Sequence, residues 1–180
     1  ANWYFKQVGS PYQSLRDIIF IDDSTGFLLS DNISGNLYTT SDAGENWIAD
    51  TLNRITGIKK ILFTDESNGW CVGENGIIFK STDSGISWIY RNEGSRDNFN
   101  AISFVNADVG WGVGLNGIIF KSTDGGNSWI EQESGVSESL KSVNFINTTT
   151  GWVVGSNGLL LKTVDGGANW IPQFTGSNSE

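Results

Sequence analysis

The sequence predicts an all-β fold made of repeated four-stranded antiparallel units, and three observations support this prediction. An octet of the form Ser/Thr-x-Asp-x-Gly-x-x-Trp occurs four times, and its aspartates follow one another at intervals of 41 residues. Glycine is abundant, with 23 residues, whereas proline is scarce, with 2, as is typical of short strands joined by tight turns. Asn-Gly pairs, the strongest short-range signal of a β-hairpin, recur in three of the repeats. This pattern is typical of a β-propeller, so we expect about four 41-residue blades and one extra N-terminal strand.

Each repeat divides into four strands in the same order. The first strand is apolar and ends in phenylalanine, and the second begins with Gly-Phe or Gly-Trp. The Asn-Gly pair joins the second strand to the third, and the octet turns the third into the fourth. The closing phenylalanines of the first strands are Phe20, Phe63, Phe104 and Phe145. These boundaries predict a single propeller or propeller fragment with a strand at 1–10, blades at approximately 15–52, 58–93, 99–134 and 140–175, and a polar tail at 176–180.

The two ends of the chain do not match a closed ring of four blades. Ala1-Asn2-Trp3 repeats Ala168-Asn169-Trp170, so the chain begins inside a fifth copy of the octet and has one more fourth strand than it needs. An uncovered strand edge favours pairing with another strand. We therefore expect the chain to be part of a longer propeller, or to self-associate through its open strand edges into a ring or a stack.

The octet is interpreted as a turn-forming structure. Its aspartate accepts hydrogen bonds from nearby backbone N–H groups, and its glycine supplies a positive φ. Its tryptophan covers the turn with the apolar face of the ring, and the indole N–H requires an acceptor when it is buried. Each turn has too few carboxylates for a tight calcium site, so neither a metal nor another cofactor is expected. Replacing Trp129 with alanine is predicted to cost about 3 to 5 kcal/mol through loss of a buried aromatic side chain. The residues assigned to the turns are Asp42, Gly44, Trp47, Asp83, Gly85, Trp88, Asp124, Gly126, Trp129, Asp165, Gly167 and Trp170.

Composition argues against several classes of partner and chemistry. The formal net charge is −9, from 11 basic and 20 acidic residues, which argues against nucleic acid or an anionic membrane as the main partner. The chain has no histidine and a single cysteine, Cys71, so it has neither an imidazole base nor an internal disulfide. No apolar run approaches the roughly 18 residues that span a bilayer, so no transmembrane segment is predicted.

The octet resembles the Asp-box, also called the bacterial neuraminidase repeat. The longer repeat, Phe-x-Asn/Asp-x3-Gly-Trp-x-Val-Gly-x-Asn-Gly-x-Ile-x-Lys-Ser/Thr-x-Asp-Gly-Gly-x-x-Trp, resembles the propeller of photosystem II assembly and stability factors over essentially the whole chain. This resemblance implies that the octets are structural and lie away from the catalytic face of such propellers. Related repeats occur in many secreted bacterial proteins, in sialidases and in some glycoside hydrolases, which implies an extracellular or periplasmic location. Sialidases bind the substrate carboxylate with three clustered arginines, whereas no such signature surrounds the four arginines of this chain.

We expect a non-catalytic scaffold that binds a protein or a glycan, because near-identical repeats leave little room for a unique catalytic constellation. The binding surface would be the variable segments between consecutive blades, at residues 9–14, 50–57, 91–98 and 133–139. Tyrosine and arginine contribute disproportionately to interfaces, so the candidate contact residues in these segments are Tyr12, Arg54, Arg91 and Arg96. A basic column on the first strands, which would line a central channel or balance neighbouring acids, consists of Arg16, Lys59 and Lys141.

Two alternatives come from other functional classes. A sialidase-like or glycoside hydrolase-like enzyme would have to use acid pairs such as Asp22-Asp23 and Asp65-Glu66. Both pairs fall in the same turn column, whereas glycoside hydrolysis requires two carboxylates about 5 to 10 Å apart across a cleft, so no catalytic residue is assigned. A structural subunit of an extracellular polymer would use the open strand edges instead.

Overall fold

The computed structural model describes residues 7–9, 14–30, 37–50, 57–91 and 98–173, in which sixteen strands form four sheets. Blade 1 contains β1 (Leu15–Phe20), β2 (Gly26–Ser30), β3 (Leu37–Thr40) and β4 (Ile48–Asp50). Blade 2 contains β5 (Ile58–Phe63), β6 (Gly69–Gly73), β7 (Ile78–Ser81) and β8 (Ile89–Tyr90). Blade 3 contains β9 (Phe99–Phe104), β10 (Gly110–Gly114), β11 (Ile119–Ser122) and β12 (Ile130–Gln132). Blade 4 contains β13 (Leu140–Phe145), β14 (Gly151–Gly155), β15 (Leu160–Thr163) and β16 (Ile171–Pro172).

Every blade is an up-and-down sheet whose strands pair antiparallel in chain order. In blade 3, for example, Trp111 lies opposite Ser103 on one side and Lys121 on the other. Successive residues of a strand face opposite sides of the sheet, so each blade presents two different faces to its neighbours. The predicted all-β propeller with four-stranded antiparallel blades is confirmed. No helix in the described ranges is long and apolar enough to cross a membrane.

The Asn-Gly pairs form the turn between the second and third strands of blades 2, 3 and 4. In blade 3 the Ile118 N–H donates to the Leu115 carbonyl at 3.1 Å, and Asn116 and Gly117 have φ values of 55° and 74°. Two successive left-handed residues make a type I′ turn, whose twist matches that of the strands it joins. The equivalent turns of blades 2 and 4 are closed in the same way, by the Ile77 N–H on the Glu74 carbonyl and the Leu159 N–H on the Ser156 carbonyl, both at 3.1 Å.

The hydrophobic core lies between neighbouring blades. The first strands lie side by side in the order β1, β5, β9 and β13, so they form the inner edge of the propeller. An aromatic ring on the second strand of blades 1, 2 and 3 stacks on the closing phenylalanine of the next blade. The stacked pairs are Phe27 with Phe63, Trp70 with Phe104 and Trp111 with Phe145, at centroid distances of 5.0, 3.9 and 3.4 Å.

Cys71 belongs to the core between blades 1 and 2. Its side chain is completely buried, and burial raises the pKa of its thiol well above the ordinary value. The thiol therefore stays protonated and acts as a small apolar side chain.

Each of the two end blades leaves part of one face exposed to solvent. Ile18 of blade 1 is 57% exposed, whereas the equivalent Ile61 of blade 2 is 1% exposed. Val154 of blade 4 is 44% exposed, whereas the equivalent Val113 of blade 3 is completely buried. Among the strands that the structure describes, β1 and β13 do not pack side by side, so the four blades form an arc with two open ends.

Candidate functional site on the loop face

The up-and-down order of the strands gives the propeller two different faces. The octets and the turns between first and second strands lie on one face, called the octet face. The turns between second and third strands and the segments that join consecutive blades lie on the other, called the loop face. On the octet face the Gly125 N–H donates to the Asp108 carbonyl at 2.7 Å, and on the loop face the Gly117 N–H donates to the Glu138 carbonyl at 2.9 Å. Hydrogen bonds between neighbouring turns thus shape both faces.

Each octet is closed by its aspartate and by the hydroxyl group that precedes it. In blade 3 Asp124 Oδ1 accepts from the Ser122 hydroxyl and from the Ser128 N–H, both at 2.9 Å. The buried Ser122 oxygen accepts in turn from the N–H of Gly126, at 2.8 Å, and Gly126 has a φ of 78° that favours glycine. The same bonds recur in the other three octets, so all four carboxylates are engaged within their own turns.

The octet also joins its blade to the preceding one through a backbone carbonyl. The indole N–H of Trp111 in blade 3 donates to the Gly166 carbonyl in the octet of blade 4, at 3.1 Å. The Lys121 ammonium group donates to the same oxygen at 3.0 Å. The indole N–H of Trp70 makes the equivalent bond to the Gly125 carbonyl at 3.0 Å. These second-strand tryptophans were assigned no role from the sequence, although the Gly-Trp pair marks their positions.

The octet tryptophans are less deeply buried than Trp70 and Trp111 of the second strands, which are completely buried. Trp47, Trp88 and Trp129 are half-buried, and Trp170 is 9% exposed. Their indole N–H groups were expected to find acceptors, but the nitrogens of Trp88, Trp129 and Trp170 are buried without a hydrogen-bond partner in the described part of the chain. The Trp129 ring instead meets the Phe104 ring at 84°, with centroids 5.8 Å apart. An edge-to-face contact is attractive because the positive edge of one ring meets the negative face of the other.

The two acid pairs lie on the octet face, in the turns between first and second strands. Asp22 Oδ1 accepts from the N–H groups of Ser24 and Thr25 at 2.7 and 2.6 Å, and these bonds lower the pKa of Asp22 to about 2. Hydrogen bonds from the side chain and the backbone of Asn68 lower the pKa of Asp65. Glycoside hydrolysis requires an acid whose pKa is raised, so Asp22 and Asp65 are poor candidates for that role. In the described residues no group of three or more His, Cys, Asp and Glu side chains is placed to hold a metal ion.

The turn carboxylates predict a loss of stability at low pH. Hydrogen bonds from the side chain and backbone of Asn169, and from the Thr163 hydroxyl, lower the pKa of Asp165 from 3.8 to about 2. A pKa that is lower in the folded than in the unfolded state gives stability that is complete above the unfolded value and is lost as the pH falls through the folded value. We therefore expect the thermal unfolding midpoint, measured by circular dichroism, to fall as the pH is lowered from about 4 to about 2. Asp165→Asn should show a shallower fall, and an unchanged pH profile in this variant would contradict the assignment.

A crevice of about 650 Å³ opens on the loop face beside the connection between blades 3 and 4. Its walls are the turn at 116–118 and the segment at 131–138. Three glutamates, Glu131, Glu133 and Glu138, line the crevice, and none of the described residues that line it is a lysine or an arginine. The two walls touch at Gly117, where a Cβ atom would collide with the Val136 carbonyl oxygen. This acidic crevice is the candidate binding site.

Among the predicted contact residues of the interblade segments, the structure describes Arg91, which does not line this crevice. Arg91 follows β8, and its backbone N–H donates to the Ile78 carbonyl at 2.8 Å. The Arg91 Nε atom is buried and has no hydrogen-bond partner within the described ranges. The other predicted contact residues lie outside the described residues and are Tyr12, Arg54 and Arg96.

The basic column on the first strands is partly engaged in contacts between blades. The Lys59 ammonium group lies 3.6 Å from a Glu74 carboxylate oxygen and donates to Asn100 Oδ1 at 3.2 Å. Lys59 therefore balances an acid and links the first strands of blades 2 and 3. Arg16 and Lys141 are exposed on β1 and β13.

Four-stranded blades joined through repeated aspartate turns define this protein as a β-propeller with BNR-type repeats. The sequence profile of the family described as "Photosynthesis system II assembly factor YCF48" matches residues 1–89 and 50–133, which together make up more than half of the chain. The chain belongs to this family. No curated protein sequence matches it.

Solved structures share the fold. YCF48 bound to a D1 peptide has a TM-score of 0.72 and 23% identity, over 91% of this chain and 55% of that one. YCF48 from Cyanidioschyzon merolae has a TM-score of 0.72 and 22% identity, over 96% of this chain and 60% of that one. The GH74 xyloglucanase from Xanthomonas campestris has a TM-score of 0.66 and 15% identity, over 84% of this chain and 28% of that one. This chain thus spans little more than half the length of the YCF48 structures.

Proposed function

We propose that this chain is a non-catalytic scaffold that binds an extended segment of a partner protein in the loop-face crevice. Family membership supports a role in protein assembly, and a similar structure, YCF48, holds a D1 peptide. The acidic crevice beside the connection of blades 3 and 4 carries the proposal, because its size is within the range of roughly 300 to 1,000 Å³ that is usual for ligand sites.

The backbone at the crevice suits an extended peptide. β12 is the outermost strand of blade 3, and its residues Glu131 and Gln132 line the crevice. An edge strand has backbone N–H and carbonyl groups that an added strand can pair with. The Gln132 side-chain amide donates to the Glu131 carbonyl at 3.2 Å, and the N–H of an incoming peptide would replace this bond.

The charge of the crevice favours a basic segment. Glu131 and Glu133 are exposed and Glu138 is half-buried, so a lysine or arginine of the partner would meet carboxylates on both sides. Attraction between exposed charges is screened by salt, so binding should weaken as the ionic strength rises.

Fluorescence anisotropy of labelled peptides tests this function. The probes are the D1 peptide of the YCF48 complex and two short synthetic peptides, one of alternating threonine and lysine and one of alternating threonine and glutamate. We expect saturable, salt-sensitive binding of the lysine peptide but not of the glutamate peptide. The double variant Glu133→Lys, Glu138→Lys should bind about tenfold more weakly, because two attractive charges become repulsive. The matched control Glu66→Lys, on the octet face, should bind like the original chain.

Two results would contradict the proposal. One is the absence of saturable binding by both the D1 peptide and the lysine peptide. The other is an equal loss of binding in the Glu66→Lys control, which would indicate a general effect of net charge.

The enzyme alternative is supported only by the fold that this chain shares with the GH74 xyloglucanase. The sequence identity is 15%, so the likeness extends to the architecture and not to the chemistry. A glycan partner and an extracellular or periplasmic location stay predictions.

A further inference from the structure

Blade 1 differs from the other three blades at one pair of facing residues. Phe27 on β2 lies opposite Thr39 on β3. At the same two positions the other blades have a tryptophan on the second strand and a lysine on the third, whose ammonium group lies over the indole ring. Blade 1 therefore has neither the indole N–H nor the ammonium group of this pair. The pairs in the other blades are Trp70 with Lys80, Trp111 with Lys121 and Trp152 with Lys162.

The Phe27 ring nevertheless occupies the place of the indole rings. It stacks on Phe63 of the next blade, with the ring centroids 5.0 Å apart. It also lies against the octet of that blade, since a Cβ atom on Gly85 would collide with the Phe27 ring, as a Cβ atom on Gly167 would lie 3.2 Å from Trp111 Nε1. The stack between the blades is thus kept, and the N–H end of the side chain is missing.

The backbone acceptor of this junction is the Ser84 carbonyl. Ser84 has a φ of 61°, against 71° and 73° for the equivalent Gly125 and Gly166. Its N–H donates to the Ser67 carbonyl at 3.1 Å, as the Gly125 N–H donates to the Asp108 carbonyl at 2.7 Å. The Gly166 carbonyl accepts from an indole N–H and from an ammonium group, at 3.1 and 3.0 Å. In the described part of the chain no group donates to the Ser84 carbonyl, so this junction has the acceptor without its donors.

A cavity of about 340 Å³ opens on the octet face at this junction, beside Phe27, Thr39 and Ser84. Its volume lies within the range of roughly 300 to 1,000 Å³ that is usual for ligand sites. Asp42 also lines the cavity, whereas none of the described residues that line it is a lysine or an arginine. Ile86, which also lines it, is an apolar residue that is 83% exposed. The residues equivalent to Ile86 in the other octets are Glu45, Asn127 and Ala168.

We propose that this cavity binds a primary alkylammonium group, which takes the place of the missing lysine side chain. The ammonium group donates to the Ser84 carbonyl, as Lys121 donates to the Gly166 carbonyl at 3.0 Å. It lies near the face of the Phe27 ring, as Lys121 lies 5.2 Å from the centroid of the Trp111 ring. Such a position is favourable because the electron-rich face of an aromatic ring attracts a cation.

The other walls of the cavity suit the remaining parts of such a ligand. The Asp42 carboxylate attracts the positive charge, and the apolar Ile86 contacts the methylene groups. A lysine side chain of a partner protein and a free amine both have this chemistry, so the test requires one probe of each kind.

Nuclear magnetic resonance titration of the isotope-labelled chain tests the site. The probes are n-butylammonium, a free amine that matches the lysine side chain, and Nα-acetyllysine amide. We expect saturable shifts of the backbone amide signals of Ser84, Gly85 and Ile86, with a dissociation constant on the order of 10 mM for ligands this small. Tighter binding of acetyllysine amide would assign the site to a partner's lysine, and tighter binding of n-butylammonium would assign it to a free amine.

Two further compounds separate the contributions of charge and hydrogen bonding. The first, n-butanol, has the same carbon chain without the charge. The second, tetramethylammonium, has the charge without an N–H donor. Neither should shift the signals of Ser84, Gly85 and Ile86, because the proposed site requires a cation that donates to the Ser84 carbonyl.

Thr39→Lys is the decisive variant, because it restores the lysine of the other blades. Its own ammonium group should fill the cavity and weaken binding of both probes about tenfold or more. Unchanged amide signals of blades 3 and 4 would show that the variant is folded. The matched control Thr123→Lys adds the same charge at an exposed octet residue of blade 3, so it should bind both probes like the original chain.

Four results would overturn the proposal. They are the absence of saturable shifts with both ammonium probes, equal shifts with n-butanol, unchanged binding in Thr39→Lys, and shifts confined to residues 131–138. The last result would place the ammonium group in the loop-face crevice. Thr39→Lys leaves that crevice unaltered, so peptide binding there and ammonium binding on the octet face fail or succeed independently.

Discussion

Replacing Trp111 with alanine is expected to lower the free energy of unfolding by about 3 to 5 kcal/mol. The side chain is completely buried and stacks on Phe145 with the ring centroids 3.4 Å apart. Its indole N–H also donates to the Gly166 carbonyl, and the Lys121 ammonium group lies 5.2 Å from its ring centroid. The substitution therefore removes a completely buried aromatic contact between blades 3 and 4 and leaves a cavity at their junction. Denaturant unfolding followed by circular dichroism measures the loss.

Trp129 provides the matched comparison, because it is a tryptophan of the same blade that lies in the octet. It is half-buried and contacts Phe99 and Phe104 of its own blade, without a hydrogen bond from its indole nitrogen. We expect Trp129→Ala to cost about 3 kcal/mol, at the lower end of the range predicted from the sequence. A larger loss in Trp129→Ala than in Trp111→Ala would show that the octet, and not the second strand, carries most of the aromatic stabilisation.

The second large effect is expected for Gly117→Ala, which should destabilise the chain and distort the crevice. Gly117 has a φ of 74°, and a Cβ atom there would collide with the Val136 carbonyl oxygen. The left-handed conformation of an alanine should lower the free energy of unfolding by about 1 kcal/mol. Displacement of the Val136 segment should lower it by about 1 to 3 kcal/mol more. Peptide anisotropy should show weaker binding in parallel, because the two walls of the crevice meet at this contact.

Gly158→Ala separates the two contributions. Gly158 ends the equivalent Asn-Gly pair of blade 4 and has a φ of 72°, but within the described ranges no atom beyond its chain neighbours lies within 4 Å of a Cβ placed there. This variant should lose only about 1 kcal/mol and should leave peptide binding unchanged. Equal losses in the two variants would show that the contact between Gly117 and Val136 does not shape the crevice.

The sequence was sufficient for the architecture because each local signal is repeated. The Asn-Gly pairs, the octets and the closing phenylalanines recur in register. A turn or strand that would be ambiguous in a single repeat is therefore unambiguous when the four repeats are aligned. The tryptophans show where this reasoning ends. Trp111 and Trp129 both follow a strong local signal, but only packing against blade 4 buries Trp111 completely.

The candidate site was predicted less well, for a physical reason. The segment at 133–139 was included in the predicted binding surface, but the side chains singled out were tyrosine and arginine residues in the other segments. The charge of a crevice depends on which turn packs beside which segment, and here Gly117 brings the turn at 116–118 against Val136. Segments that vary between repeats have no internal register, so their neighbours cannot be read from the spacing. The glutamates at 131, 133 and 138 therefore stood out only in the folded chain.

The carbonyl that joins each octet to the preceding blade has a consequence for how such proteins change in length. The acceptor is part of the main chain, so the bond needs no particular side chain at that position, where blades 1 and 2 have Ala43 and Ser84 in place of Gly125 and Gly166. Blade 3 has the indole donor Trp111 on one side and the backbone acceptor Gly125 on the other. Gain or loss of one whole repeat of this kind by gene duplication or deletion would then preserve the junctions on either side, whereas a partial repeat would break two. The number of blades therefore depends on how many repeats the gene encodes and on what covers the end blades. No single blade determines it.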